Sequence, residues 1–431
     1  MKSSTPSLFR VVRAADEPLG VFFRAGRDGH TVIERVLAEQ QVGLLGAVLE
    51  ACYCKTQSEL IGELVDRRLD AILDTGMMEL ATHVGHQSIR RKLPWADSSP
   101  SQAEDFSTSR CEAIADQIAD FIALHGFSAV LAPTHFLHLG AKDPWLQIDK
   151  RLVFNLRRRL NSKGLSDVRI YYPLAISSRD LLVPASRVAI KTALSGLPID
   201  AIWLRIHPFG SQSSDAVLQR YISLCQHLHG LRLPLIAEKT GVLGLALLAF
   251  GAVTGIETGI SSGERFDIAR LNRPSSLRPA DEPFKTTARV YLPDLGISLS
   301  RKEAAEFFTI RALRRFACRN QGCCRDGSET MIKESRRHFA YSRMAEVAEL
   351  SRVTPTLRPV EYLERILRPS TDNLGRVLAQ DTLSPSLRRK FETNRRKQDR
   401  WRDTLGRMSS SPPSSFSVPF ERHNFRNRQT A

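Results

Sequence analysis

The sequence predicts an α/β chain built on a (β/α)8 barrel. Between residues 70 and 260, short β-rich apolar runs that end in polar or Gly/Pro residues alternate with segments of helical periodicity, the pattern of parallel strands joined by crossover helices. No glycine-rich GxGxxG or GxxxxGK[ST] turn follows any of these runs, which disfavours the alternative, a doubly wound nucleotide-binding sheet. At 431 residues the chain holds a barrel of about 250 residues with additions.

The predicted strands are "DAILDTG" (70–76), "SAVLAPTH" (128–135), "VRIYYPLAIS" (168–177), "AIWLRIHPFG" (201–210), "LPLIAEKTG" (233–241) and "TGIETGISSG" (254–263). The N-terminal 65 residues and "TARVYLPDLGISLS" (287–300) have room for others. "SRCEAIADQIADFIALHG" (109–126) predicts a helix, because Ile114, Ile118, Phe121 and Ile122 recur at three and four residues. "SSDAVLQRYISLCQHLHG" (213–230) opens on Ser and Asp and closes on Gly, as a capped helix does. Residues 1–300 are therefore expected to form the barrel. From 301 the pattern turns helical, and 301–370 is expected to be a helical metal-binding subdomain completing it. Beyond 370 apolar content falls while Ser, Pro and Arg rise, so 371–431 is expected to be a basic, flexible tail.

Composition narrows the function classes. Hydrophobic residues at 42% and charged residues at 25% fit a folded globular chain. No apolar run reaches the roughly 18 residues that span a bilayer, "GVLGLALLAFGAV" (241–253) reading as a buried helix, and no secretory signal is visible. A cytoplasmic protein with no membrane partner is expected. The formal charge of +16 creates a field that attracts polyanions, so a nucleic acid is the expected partner. Charge and composition leave open a protein partner or a homodimer.

In a barrel, polar residues at the C-terminal ends of the strands converge on one mouth. Here these are Asp74 and Thr75, Thr134 and His135, Ser177 and Arg179, Arg205 and His207, Glu238 and Lys239, and Glu257 and Glu264. Asp74 ends an apolar strand at a small-residue turn, either facing the mouth or capping the next helix. Glu257 sits between Gly255 and Gly259 in "TGIETG", where a ligand can approach closely or a neighbouring arginine can pair with it. Lys239 either pairs with Glu238 or forms an imine, the reading that would make the chain a lyase. Seven cysteines are too few and too irregular for a disulfide framework. Three of them, Cys318, Cys323 and Cys324, fall within seven positions and His338 follows, a donor set suited to a closed, structural Zn2+ site. Gly322 and Gly327 would permit the bend that adjacent Cys323 and Cys324 need.

With these residues placed, the chain resembles the tRNA-guanine transglycosylase family, zinc-containing barrels that exchange a base in nucleic acid, together with its DNA-modifying paralogues. "LDTGMMELA" resembles the family's Asp-Ser-Gly-Gly strand end, with Asp74 at the acid. "CRNQGCC" followed by "RRHFAYSRMAEVAEL" resembles its Cys-x-Cys-x-x-Cys site, with Asn320 at the middle cysteine. The family's second aspartate has no clear counterpart, Glu257 lying in the right region. The resemblance implies a pentosyltransferase that exchanges a purine base in tRNA or DNA. Asp74 and Glu257 would be catalytic, and Thr75, His135, Arg179, Arg205 and His207 would contact the substrate. The missing aspartate equally allows a non-catalytic nucleic-acid-binding or partner subunit on the same fold.

Overall fold

Eight parallel strands close into a barrel: β1 (Gly20–Arg24), β2 (Leu44–Glu50), β3 (Asp70–Asp74), β4 (Ala129–Leu131), β5 (Arg169–Ser177), β6 (Ala201–His207), β7 (Leu235–Glu238) and β8 (Gly255–Gly259). Each pairs with the next in chain order, and β8 returns to β1 with Gly20 opposite Gly255. The computed structural model describes residues 19–39, 43–82, 87–97, 99–260, 264–272, 288–410 and 415–420.

The strands read as nearly continuous apolar runs because both faces are covered. Phe22, Val48, Ile72, Leu131, Tyr171, Trp203 and Ile236 point into the barrel. Their neighbours Val21, Phe23, Leu49, Leu73, Val130, Ile170, Leu204 and Ala237 pack outward in the core shared with the helices. That outer layer includes α1 (His30–Ala38), α2 (Ser58–Asp66), α3 (Thr108–His125), α4 (Pro144–Ser162), α5 (Pro184–Leu194), α6 (Asp215–Leu228) and the wholly buried α7 (Leu243–Ala249). Among the described residues no helix is long and apolar enough to cross a membrane.

After β8 a hairpin, β9 (Arg289–Leu292) and β10 (Ile297–Ser300), leads into α8 (Arg301–Thr309), which opens on a capping box between Ser300 and Glu303. The cysteine cluster follows, then α9 (Ser335–Ser351), which packs against α1 and β1 and so fills the helix position between the last and first strands.

The expectation of a flexible tail from 371 is corrected by α10 (Arg368–Leu378) and the 25-residue α11 (Pro385–Ser409). Its apolar residues are few but correctly spaced: Leu387 and Phe391, then Trp401 and Leu405, are buried at four-residue intervals beneath an arginine-rich outer face. Beyond them Phe420 enters the bottom of the barrel, its ring 5.2 Å from Phe22 and 5.8 Å from Tyr171. Residues 411–414 and 421–431 of the expected tail lie outside the described residues.

Candidate active site at the barrel mouth and candidate metal centre

Side chains alternate along a strand, so a residue two positions after an inward apolar one also points inward, one layer nearer the mouth. On β1, β2, β3, β6 and β7 that next residue is charged: Arg24 after Phe22, Glu50 after Val48, Asp74 after Ile72, Arg205 after Trp203 and Glu238 after Ile236. Five strands thus cap an apolar interior with one polar layer, and Glu257 on β8 joins it.

Arg24 sits at the centre. Its Nη1 is 2.6 Å from Asp74 Oδ2 and 3.6 Å from Glu50 Oε1. Its Nε and Nη2 each donate to Glu257 at 3.2 Å, and Nη2 lies 3.4 Å from Glu238. Arg205 donates to Asp74 Oδ2 at 2.8 Å and to Glu238 Oε2 at 2.5 Å. Lys239 Nζ is 3.3 Å from Glu238 Oε1. Lys239 also holds a left-handed φ of +52° at the strand end, a conformation that costs a non-glycine residue energy and is concentrated at functional sites.

Four carboxyls therefore share three cations, and one proton on the acids leaves the group neutral. Burial pushes Glu257 up to about 7 against the attraction of Arg24, with Glu238 adding to the rise. Burial likewise raises Glu50, with Asp74 adding to it and Arg24 opposing it. Asp74 moves the other way: Arg205 and Arg24 overcome its burial and hold it well below the carboxylate range. The same two arginines bring Glu238 down to about 2.

Access separates these acids. The Glu257 side chain is fully enclosed, whereas Glu50 keeps 32% of its side chain exposed and Asp74 keeps 7%. Glu50 and Asp74 stand directly opposite each other on neighbouring strands. Asp74 Oδ1 accepts the Gly76 N–H at 3.0 Å while Oδ2 takes both arginines, so one side chain forms the turn and faces the mouth. Gly76, with φ +66°, makes that turn without Cβ strain.

The remaining expected contacts divide. Arg179 is exposed at the rim. His207 Nδ1 accepts the Ile268 N–H at 3.2 Å and lies 3.5 Å from Asp267, and burial lowers its pKa. Thr75 is buried, its carbonyl accepting the Trp95 indole N–H at 2.9 Å. His135 does not open to the mouth: its Nδ1 is 2.6 Å from Asp149 on α4, and its ring stacks on Trp145 at 3.7 Å. Arg205 is an internal clamp rather than a surface contact. Sequence reasoning missed Arg24 and Glu50, although "VFFRAG" and "AVLEAC" carry the signal that marked "AILDTG", an apolar run driving into a charge.

The cysteines and histidine converge as expected. The ligand atoms of Cys318, Cys323, Cys324 and His338 all lie within 4.8 Å of one another. Cys323 Sγ and Cys324 Sγ are 3.6 Å apart, and each is 3.5 Å from His338 Nδ1. A tetrahedral metal with bonds of about 2.3 Å to sulfur needs sulfurs just under about 4 Å apart, so the donor set fits a metal ion. His338 Nε2 lies 2.9 Å from the Tyr291 carbonyl, which fixes the tautomer that turns Nδ1 toward the thiols. Asn320, at the position of the family's middle cysteine, organises the turn instead. Its carbonyl accepts the N–H groups of Cys323 at 3.1 Å and Cys324 at 2.7 Å, and its side chain accepts from Cys323 again. Gly327 adopts φ +60°, as the bend requires.

No family model matches the chain, and no curated protein matches it. Among solved structures, the chain is similar to a GH18 chitinase from Pseudoalteromonas aurantia at 12% identity, covering 56% of this chain and 93% of that one, with a TM-score of 0.36. It is similar to an endo-1,4-beta-xylanase of Penicillium canescens at 12% identity, covering 56% and 81%, TM-score 0.37. A GH26 beta-mannanase from Bacteroides ovatus gives 11%, 62% and 86%, TM-score 0.37.

These neighbours are glycoside hydrolases, where the resemblance implied a base-exchange enzyme, and the expected pentosyltransferase acting on a purine base in tRNA or DNA is corrected on that finding. Glu257, the expected nucleophile, is enclosed and held by two nitrogens of Arg24.

Proposed function

We propose that this chain is a barrel enzyme that cleaves a glycosidic bond of a carbohydrate, with Glu50 as general acid and Asp74 as its ionised partner. The observation that carries this reading is the pair itself: two carboxyls in register on adjacent strand ends, one pushed up by burial and one held down by two arginines. Environments that drive neighbouring carboxyls apart assign acid and base roles. Glu50, its carboxyl pushed up by burial and its side chain open to the mouth, is the acid placed to donate to the leaving oxygen. Asp74, its carboxyl held down by Arg205 and Arg24, attacks the anomeric carbon or stabilises the positive charge developing there. The spacing of neighbouring strands, about 4.8 Å, favours the short separation of double displacement, about 5–5.5 Å. Arg24 and Arg205 keep Asp74 ionised, and Glu257 holds the proton that balances the cluster.

The leaving group tests these roles. On a panel of glycosides, Glu50→Gln is expected to lose about 10²–10⁴-fold in rate where the leaving alcohol is poor and to stay near the parent with 2,4-dinitrophenolate, which needs no proton. Asp74→Asn is expected to lose rate on both. Equal losses for Glu50→Gln on the two leaving groups would remove the acid role.

We further propose that Cys318, Cys323, Cys324 and His338 hold one structural zinc, since four protein ligands leave no position for water. The centre ties the segment before α9 to the β9 carbonyl of Tyr291, and so fixes the helix that completes the barrel. Elemental mass spectrometry is expected to find about one zinc per chain, lost in Cys318→Ser and in His338→Ala. Both variants and the chelated parent are expected to melt several degrees lower, since metal binding energy is folding energy. Parent protein free of metal and equally stable would count against the assignment.

A further inference from the structure

Beside the metal centre lies a cavity of about 510 Å³ whose wall includes Asp294, Arg315, Cys318, Arg319, His338 and Arg376. We propose that this cavity is a binding site for a phosphate group, monoester or diester, distinct from the barrel mouth and independent of the chemistry assigned there.

The three arginines come from separate places in the fold. Arg315 is in the 3-10 turn after α8, Arg319 in the cysteine loop and Arg376 on α10. All three are exposed, and among the described residues no carboxylate forms an ion pair with any of them. Some arginines of this surface are neutralised, Arg67 by Glu63, Arg110 by Asp97, Arg157 by Asp200 and Arg158 by Glu112, each within 2.9 Å, and others among the described residues, such as Arg68 and Arg91, are not; what sets the cavity apart is that three converge on it. What the cavity arginines do bond is local and neutral. Arg315 lies over the Phe316 ring at 4.7 Å, Arg319 reaches the Arg315 carbonyl at 3.5 Å, and Arg376 donates to Asn373 Oδ1 at 3.2 Å.

Three guanidiniums against the single carboxylate of Asp294 leave an excess of two positive charges, which the net negative charge of a zinc held by three thiolates beside the cavity reduces to one. A guanidinium presents paired N–H donors at the spacing of phosphate oxygens, so a phosphate satisfies both the charge and the open donors. Arg395 on α11 packs over Gly375, beside Arg376, and continues the positive surface outward from the cavity. That continuation lets the site serve the phosphate of a small ester or one phosphate of a longer polyanion.

The test titrates zinc-loaded full-length protein with three probes at low salt: inorganic phosphate, adenosine 5′-monophosphate and a fluorescein-labelled single-stranded oligonucleotide. The Arg319→Gln/Arg376→Gln pair is compared with Arg68→Gln, an exposed arginine after α2 that does not line the cavity. At least one probe is expected to bind the parent. The paired variant is expected to weaken that binding at least about tenfold with its zinc content and melting temperature unchanged, while Arg68→Gln leaves it intact. Binding of the small probes alone assigns a phosphate monoester. Binding of the oligonucleotide, with the salt slope reduced by about two in the paired variant, assigns a phosphodiester chain. The proposal is overturned if no probe binds the parent, or if Arg68→Gln loses as much as the pair. It is equally overturned if the pair loses zinc without loss of anion binding, which would mean that the arginines serve only to balance the thiolates.

Discussion

Arg24→Met is expected to destabilise the protein by about 3–5 kcal/mol, the cost of leaving a buried ion pair without one partner. Arg24 contacts Asp74, Glu238 and Glu257 inside the barrel, and each of those side chains is less than a tenth exposed. Without the guanidinium, Arg205 and Lys239 alone face four carboxyls, and additional protons must be taken up. Lysine does not rescue: an ammonium carries its three donors on one nitrogen and cannot span Asp74 and both oxygens of Glu257 as the three separate nitrogens of Arg24 do. Thermal melting of Arg24→Met, Arg24→Lys and the double variant Arg24→Met/Glu257→Gln checks this. The double variant is expected to recover part of the loss, because the neutral amide removes one of the stranded acids. A single variant as stable as the parent would show that the lattice is not closed around Arg24.

Glu257→Gln is expected to change how stability depends on pH. The folded pKa of Glu257 is raised from 4.5 to about 7, so its contribution is fully present below about pH 4.5 and is lost as pH rises through about 7. At 1.36 kcal/mol per pKa unit the loss is about 3 kcal/mol. Asp74 and Glu238 act in the opposite sense. Their folded pKa values are depressed, so the stability they supply is present above the unfolded values and disappears only as pH falls toward 2 and below. The parent should therefore be most stable in mildly acid solution and weaken toward pH 7–8. Glu257→Gln should reduce the decline on the alkaline side, leaving the part that Glu50, also raised by burial, contributes, and leave the acid limb intact. Denaturant titrations between pH 4 and pH 8 read both limbs.

Much of this was legible in the sequence because a barrel strand has to be apolar on both faces. The six runs from "DAILDTG" to "TGIETGISSG" mark β3 to β8, and the polar residues at their ends mark the mouth, charged on β3, β6, β7 and β8. The same rule applied to "VFFRAG" and "AVLEAC" yields β1 and β2 with Arg24 and Glu50, the two residues around which the site turns. Other features were not legible. Whether a strand-end acid faces solvent or a guanidinium depends on which strands become neighbours, and β1 meets β8 only through ring closure across more than 200 residues. Glu257 between two glycines therefore left open a ligand or a neighbouring arginine, and it lies enclosed against Arg24. His135 read as a mouth residue, but Asp149 fourteen positions later draws it beneath Trp145. The helices after 371 were hidden by composition, since the buried stripe of α11 is thin and its outer face is rich in arginine. The cysteine–histidine cluster was legible because four such donors close in sequence can gather locally, whatever the rest of the chain does.

The split between Glu50 and Asp74 can be measured without a substrate. Carbon-detected NMR of protein labelled at its Asp and Glu carboxyls, with the two resonances assigned through Glu50→Gln and Asp74→Asn, follows each proton directly. The predicted result is Glu50 titrating above the ordinary glutamate range while Asp74 stays ionised to the acid limit of folding. If the two carboxyls titrate together near pH 4, their environments do not assign them opposite roles, and the acid and its partner at this barrel mouth must be sought elsewhere.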